Sequence, residues 1–333
     1  MSNKNSNIYD VAKRAGISIA TVSRVINTPD KVSSKTKDRV LSAMRELEFT
    51  PKAEARERAK KSIGKIGVIA SNLKCLSFVH RLNGISTALN GTPYEIVIVP
   101  TKKDEDLGYY LSTAELKNNL DGIIVLSQKL ENKTLKILKE ISAHVVFVEF
   151  GERDFSSISI DNNYGGSLVA SYLLDRGYRS FSILTEEESN LKLHPNQMRV
   201  TGFINQLIKK GINIPNDMIK YSSVDFDESV KVARELLKDI VRPQAIFATT
   251  DLLAAATLKA ARELEISVPN ELAIIGFDGT DTSNYLNLTT VDQSLEQSGK
   301  LAVELLLKRI KNPKDPIQNI YLPLKIIERG TVL

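Results

Sequence analysis

Thr21, Ser23 and Arg24 share one face of a short segment whose other face carries Val22, Val25 and Ile26. Two hydroxyls and a guanidinium, followed by Asn27 and a basic stretch, make a surface that can hydrogen-bond to nucleic acid. An arginine so placed can pair in bidentate fashion with guanine.

The elements that must hold this face are legible around it. Ile8, Val11, Ala12 and Ala15 recur at helical spacing. Gly16 breaks the pattern where a tight turn needs a permissive backbone, and Ser18 is suited to cap the next helix. The stretch Ile8 to Asn27 (IYDVAKRAGISIATVSRVIN) therefore reads as a helix-turn-helix, whose second helix lies in the DNA major groove. A hairpin that only packs would account for the apolar faces but not for the outward hydroxyls and arginine.

Val32 to Phe49 reads as a third helix, capped by Ser33 or Ser34. Val40, Leu41, Met44, Leu47 and Phe49 are its core contacts, and Lys35, Lys37, Arg39 and Arg45 point largely outward. Pro51 ends it and can open a further short helix. Lys52 to Lys61 (KAEARERAKK) is helix-prone but has no apolar stripe beyond alanines. Such a segment is too short and polar to hold alone in water and folds when DNA or a partner chain organises it.

Charge placement agrees with a nucleic-acid partner. Through Ser62 there are 14 Lys/Arg and 7 Asp/Glu, a balance of +7. The totals are 45 and 40, so the remainder holds 31 and 33, a balance of −2. A basic head on a near-neutral body is the electrostatic footprint of a nucleic-acid contact.

From Ile63 the texture changes to apolar runs alternating with helical stretches. Ile66–Ala70, Glu95–Val99, Gly122–Leu126, His144–Glu149, Phe181–Thr185, Ala245–Thr249 and Ala273–Phe277 are expected strands, suited to parallel sheets buried on both faces. Helices are expected at Gly165–Arg176, Met198–Lys210, Glu228–Lys238 and Leu252–Glu263. The βα repetition means an α/β fold of doubly wound parallel sheets, with too many strands for one sheet and two subdomains with a cleft between them as the better reading.

At this point the chain resembles the LacI/GalR family of bacterial transcription repressors. The helix-turn-helix stretch is followed in family order by VSSKTKDRV, FTPKAEAR and IGVI. DGII at Asp121, IDNNYGG at Ile160, RVTGF at Arg199, ATTD at Ala248, VPNELAIIGFD at Val268 and LTTVDQ at Leu288 then fit the family's core. The resemblance implies a three-helix helix-turn-helix domain over residues 1–50, a hinge helix over 51–62 and a periplasmic-binding-protein-like effector-binding and dimerisation core over 63–333. Within the core it implies an N-subdomain of about 63–162 plus 292–322 and a C-subdomain of about 163–291 plus 323–333. It further implies a homodimer on a pseudo-palindromic double-stranded operator. A small molecule in the core cleft, usually a sugar, nucleoside or phosphorylated relative, would shift the hinge between order and disorder.

By the same resemblance Ile19, Ala20 and Arg24 occupy base-reading positions, the first two offering only apolar contact, for example to a thymine methyl. Ala20 could equally serve as a good helix former. Ser18, Thr21, Ser23, Asn27, Ser33 and Thr36 match phosphate-contacting positions, and Tyr9 fits that role or the core. In the hinge, Lys52, Ala55 and Arg58 are the candidates, and there the chain departs from the family: Arg58 stands where a leucine wedges between base pairs. Arg58 either enters a narrow minor groove or pairs with Glu54 one turn back. The first alternative implies a less bent operator centre.

Effector candidates are Phe78, Arg199, Phe226, Thr250, Asp278 and Gln293. Asp278 and Arg199 could contact ligand hydroxyls or an acidic group, or form an inter-strand salt bridge. Phe78 could stack on a ligand ring or be plain core. Phe226 is a second stacking candidate, although the local alignment could place Asp225 there. Asp161 and Asn162 serve as possible caps. Thr250 replaces an amide common in relatives. Lys192 and His194 either favour a phosphate or carboxylate on the ligand or are solvated, and Leu193 and Pro195 lack the polar groups of purine-binding relatives. A carbohydrate is the expected effector.

Other classes fit less well. No nucleophile elbow, phosphate loop or His/Cys cluster appears, Cys75 is the sole cysteine and the three histidines are scattered, so neither an enzyme nor a metal or cofactor site is expected. The polar start MSNKNSN lacks a signal-peptide core and no apolar run reaches membrane-spanning length, so a cytoplasmic protein is expected and a periplasmic solute-binding protein disfavoured. A core that answers to a phosphorylated partner protein remains an alternative. With no leucine-heptad tail after Thr331, a dimer is expected in place of a tetramer.

Overall fold

Three short helices, α1 (Ile8–Ala15), α2 (Ile19–Asn27) and α3 (Ser34–Glu46), close around Val11, Val22, Val25 and Val40. The structure is a computed structural model that describes residues 8–27, 32–47, 49, 63–70, 73, 75–101, 104–113, 119–141, 143–186, 194–238 and 242–333. The chain forms two compact units, one of residues 1–65 with 119–121 and one of residues 66–118 with 122–333.

In the first unit, Gly16 takes a left-handed conformation between α1 and α2. Ser33 caps α3 by accepting the amide N–H of Thr36. Leu41 is not a core residue: it is 39% exposed, while Met44, Leu47 and Phe49 pack against the cluster. Arg39 is exposed, as expected, and its guanidinium also donates to the Ala15 carbonyl oxygen at 2.7 Å, tying α3 to the end of α1. That bond satisfies a carbonyl left over at a helix C-terminus.

The second unit begins with β1 (Lys65–Ala70), α4 (Leu76–Leu89), β2 (Glu95–Pro100), α5 (Asp104–Ser112), β3 (Gly122–Leu126), α6 (Asn132–Glu140), β4 (His144–Val148) and β5 (Ser156–Ser159). It continues with α7 (Asn162–Asp175), β6 (Phe181–Glu186), α8 (Pro195–Ile208), β7 (Ile219–Ser222), α9 (Phe226–Lys238), β8 (Ala245–Ala248), α10 (Asp251–Glu263), β9 (Ala273–Asp278), α11 (Asp281–Tyr285) and β10 (Thr290–Asp292). Then come α12 (Leu295–Lys311), β11 (Asn319–Tyr321) and β12 (Lys325–Ile327). One sheet runs β11-β5-β4-β3-β1-β2 and the other β12-β10-β9-β8-β6-β7. β10 with β12 is antiparallel, and β1 with β3, β3 with β4, β4 with β5, β5 with β11, β6 with β7 and β8, β8 with β9 and β9 with β10 are parallel. The chain thus passes between lobes three times, after β5, after β10 and after β11.

β3 is buried throughout, as its unbroken GIIVL requires, and β4 nearly so. β2 departs from the expectation: it is an edge strand and leaves Ile98 42% exposed. β5 is buried although it reads SSIS, because Ser157 Oγ donates to Asn319 Oδ1 at 2.8 Å and Ser156 Oγ accepts from the Gln318 amide at 3.2 Å. Helices begin earlier than their apolar periodicity. Asp161 caps α7 at the Tyr164 amide, and Pro195 opens α8 at a position where no amide hydrogen is needed.

Two helix pairs approach so closely that backbone meets backbone. A Cβ on Gly166 of α7 would stand 1.9 Å from the Arg199 carbonyl oxygen on α8, and one on Gly202 of α8 would stand 1.9 Å from that of Asn163. The other lobe repeats the arrangement with Gly84 of α4 and Gly299 of α12, the latter 2.2 Å from the Arg81 carbonyl oxygen.

Candidate functional sites in the head and core

In the head, the apolar sides of α2 and α3 are spent on the core, which leaves their polar sides as surface. Ile19 is 41% exposed and Tyr9 66%, and Ala20 and Arg24 are exposed. Tyr9 is therefore not a core residue. Ser18 Oγ accepts the Thr21 amide at 3.2 Å and lies 2.9 Å from Thr21 Oγ1. The same pairing recurs between Ser33 and Thr36, whose hydroxyls lie 2.9 Å apart. These hydroxyls rigidify two helix starts, where amide hydrogens and the helix dipole favour an anion. Ser23 lies half-buried on α2 and Asn27 is its last residue. Lys52, Ala55 and Arg58 lie outside the described residues, as do Lys192 and Leu193.

In the core, a cavity of about 240 Å³ opens at the C-terminal ends of β1, β3, β4, β6, β8 and β9. Ligands gather at this end of open α/β sheets. A smaller recess of about 80 Å³ continues it, sharing Cys75, Glu186, Val224, Thr250 and Asp278.

Charged groups from both lobes meet here. Arg199 is 2% exposed, its Nε donates to Asn162 at 2.8 Å, and Nη1 donates to Asn196 at 3.1 Å and to the Thr249 carbonyl oxygen at 2.8 Å. Nη1 also lies 3.5 Å from Asp278 and Nη2 3.7 Å from Glu149, while the guanidinium rests 3.9 Å over the Phe277 ring. Arg81 on α4 donates to Ser127 Oγ at 2.7 Å and lies 3.4 Å from Glu149. Its Nε is buried without a partner among the described residues. Gln293, on the second crossing, donates to Asp278 Oδ1 at 2.6 Å and accepts from Arg81 at 3.4 Å.

This arrangement separates the carboxylates. Burial pushes Glu149 up, but Arg81 and Arg199, with the Ser127 hydrogen bond, bring it below the usual range. Burial pushes Asp278 up to about 8, Arg199 opposing and Asp251 adding to the rise. Glu186 is raised by burial against Arg199, with Glu149 adding to the rise. Burial lowers His194, Glu149 opposing.

Five of the expected effector residues line the cavity: Phe78, Arg199, Thr250, Asp278 and Gln293. Thr250 also caps α10 through the Leu253 amide at 3.3 Å. Arg199 on α8 and Asp278 at the end of β9 form an ion pair within one lobe, between helix and strand where an inter-strand bridge was expected, and both also line the cavity. Phe226 is a correction. It is 38% exposed at the start of α9 and does not line the cavity, where Val224 stands instead. Asp225 does not line it either: its carboxylate caps α9 at the Glu228 amide at 3.0 Å and turns the next residue outward. Asp251 is structural. Fully buried, it accepts from the Thr280 amide at 2.7 Å, Thr280 Oγ1 at 2.8 Å and Thr290 Oγ1 at 2.5 Å. Arg81, Glu149, Glu186 and Asn196 were not anticipated. A charged residue three places after Phe78, on the buried side of an apolar helix, was the one available signal.

Among the described residues no group of His, Cys, Asp and Glu is placed to hold a metal ion. No helix among them is long and apolar enough to cross a membrane.

A helix-turn-helix head and a two-lobed α/β core with a charged cavity define a DNA-binding regulator that carries its own small-molecule receptor. Residues 7–52 match the family described as "Bacterial regulatory proteins, lacI family", and residues 170–332 match the "Periplasmic binding protein-like domain". The head is thus similar to that of the lacI family of bacterial regulatory proteins and the core to periplasmic binding proteins. The HTH-type transcriptional repressor PurR of Klebsiella pneumoniae is 29% identical over 333 residues, spanning 98% of this chain and 96% of its own. A LacI family regulator from Silicibacter pomeroyi superposes with a TM-score of 0.83 at 24% identity, covering 98% of this chain and 99% of that one. The lac repressor dimer bound to operator and the anti-inducer ONPF gives 0.82 at 23% identity, covering 99% and 100%. At those identities the two structures speak for the fold.

Proposed function

We propose that the protein represses carbohydrate-utilisation genes as a cytoplasmic homodimer, releasing or seizing a pseudo-palindromic operator according to a small polyhydroxylated effector in the core cavity. The observation that carries this reading is the convergence of Glu149, Arg199, Asp278 and Gln293 from both lobes and a crossing segment on one small cavity, with Arg81 behind the lining holding Glu149 and Gln293. A ligand that bridges these groups favours one spacing of the lobes over another, and differential affinity of that kind is what shifts an equilibrium. The cavity is smaller than the roughly 300–1,000 Å³ of ordinary ligand clefts, which fits a compact ligand dense in hydrogen-bonding groups.

In this reading residues 1–50 read DNA, residues 51–62 form the hinge and residues 63–333 receive the effector. Arg24 reads a base, Ile19 and Ala20 make apolar contacts, and Tyr9, Ser18, Thr21, Ser23, Asn27, Ser33 and Thr36 contact the backbone. Lys52, Ala55 and Arg58 act from the hinge. Phe78, Arg199, Thr250, Asp278 and Gln293 hold the effector.

The test has two arms. Operators selected from random DNA should show two half-sites related by a dyad, and a thermal-shift screen of the full chain should find a sugar or polyol that raises Tm and alters operator affinity. A single asymmetric half-site would refute the dimer. A Tm unmoved by every polyol but raised by a phosphorylated protein would refute the small-molecule effector.

A further inference from the structure

Among the described residues, cations and anions around the cavity do not balance. The buried arginines are committed. Arg199 is held by Asn162, Asn196, the Thr249 carbonyl oxygen, Asp278 and Glu149, and Arg81 by Ser127, Glu149 and Gln293. Three carboxylates line the same space, and Glu149 takes a share of both arginines. Glu186 forms no ion pair among the described residues; Arg199 attracts it only at longer range, and its side-chain hydrogen bond comes from the Asn196 amide. Asp278 is 7% exposed, and its contacts with Gln293 and Arg199 both fall on Oδ1. Oδ2 has no partner among the described residues. Glu186 and Asp278 are moreover the two carboxylates that border both the main cavity and its smaller recess.

We propose that the effector carries an ammonium group, as an amino sugar does, seated between Glu186 and Asp278 where the cavity meets its recess. This rests on the reading of the cavity as the effector site. An ammonium has three donors and a unit charge, so it satisfies Asp278 Oδ2 and Glu186 together and restores the charge balance between them. A hydroxyl offers one donor and no charge. A phosphate or carboxylate would meet further carboxylates, with Arg199 already engaged and Arg81 set behind the lining. In the free site a proton plays the compensating part, since burial holds Asp278 protonated up to about 8. Entry of an ammonium near pH 7 therefore drives proton release.

The experiment is isothermal titration of the full chain at pH 7 with matched sugars: glucose, galactose and mannose, their 2-amino forms and their N-acetylated forms. In at least one series the amine should bind roughly tenfold tighter than its neutral parent or better, the scale of a charge-assisted hydrogen bond. N-acetylation should cancel that advantage. Titration in buffers of different ionisation enthalpy should show a proton released on amine binding. Glu186→Gln should bring the ratio of amine to parent affinity toward one, with operator binding as the check on folding. A parent that binds as tightly as its amine overturns the ammonium while leaving the effector site standing. A preference for the amine that survives both Glu186→Gln and Asp278→Asn overturns its placement. Silence of all three forms in every series counts against the ammonium and the effector site alike.

Discussion

Gly166→Ala should destabilise the core although alanine is the better helix former. A Cβ at this position would stand 1.9 Å from the Arg199 carbonyl oxygen and 2.8 Å from the Phe203 amide nitrogen. Real Cβ atoms essentially never come closer than 3.0 Å, so α7 and α8 would have to part by about 1.1 Å, the difference between 3.0 and 1.9. No rotamer change relieves the contact, because both neighbours are backbone. Overpacking of this kind costs about 1–3 kcal/mol, and backbone contact places it near the upper end. The gain in helix propensity returns about 1 kcal/mol, leaving a net loss near 2 kcal/mol. At roughly 2–4 °C per kcal/mol, Tm should fall by about 4–8 °C. Gly108→Ala is the internal control. It also lies in a helix, but its Cβ would meet Thr134 Oγ1 at 3.5 Å and Ile137 Cδ1 at 3.8 Å, which is ordinary contact. That variant should hold or raise Tm. The assay is differential scanning calorimetry of full-length proteins without ligand. A Gly166→Ala protein as stable as the parent, or shifts of the same sign in both variants, would refute the reasoning.

Asp251→Ala should cost about 3–5 kcal/mol by leaving Thr280 and Thr290 donors unpaired inside the protein, measured by urea denaturation of the core transition. Arg24→Ala should weaken binding to the selected operator by about 1–3 kcal/mol and relax preference at one position of each half-site, read by competition binding at fixed salt. The pH dependence has a definite sign. Asp278 keeps its proton in the folded protein up to about 8 but loses it in the unfolded chain near 3.9, so its contribution is full below about pH 4 and is lost as pH rises toward 8. Glu149, depressed by its arginines after burial has pushed it up, works the opposite way and matters only at acid pH. Unliganded Tm should thus decline between pH 5 and 8, and Asp278→Asn should flatten the decline; an unchanged slope would remove Asp278 from the account.

The head was almost wholly legible because its information is local. Helical spacing, one turn glycine and serines before helix starts determine three helices without distant partners. Its one misjudged core residue, Leu41, lies beside Val40 on the same short helix, where spacing alone does not decide which apolar side chain turns inward. The long buried strands were equally plain. The short strands β5, β7, β10, β11 and β12 were not, since they exist through pairing across large sequence distances. Ser156 and Ser157 look like loop residues until Gln318 and Asn319 supply their partners. The cavity divides the same way. Arg199 and Asp278 could be placed because motifs surround them. Glu149 was read as the end of a strand, and its role arises only when two arginines from different lobes converge on it. Phe226 failed for a local reason, since the Asp225 cap fixes the start of α9 and turns the ring outward.

The threefold passage of the chain between lobes has a consequence for biosynthesis. The sheet opened by β1 is not closed until β11, which lies beyond every strand of the other lobe except β12. Its covering helix α12, whose Leu306 fills the space over Gly122 on β3, also emerges late. A ribosome that has released β1 to β5 has therefore made a sheet with one edge and part of one face bare. That nascent lobe must wait while about half the protein is still being translated. Once β10 has emerged, the second lobe lacks only its edge strand β12 and can reach near-native order before β11 is made, so the lobe encoded later is the one expected to template the completion of the lobe encoded earlier.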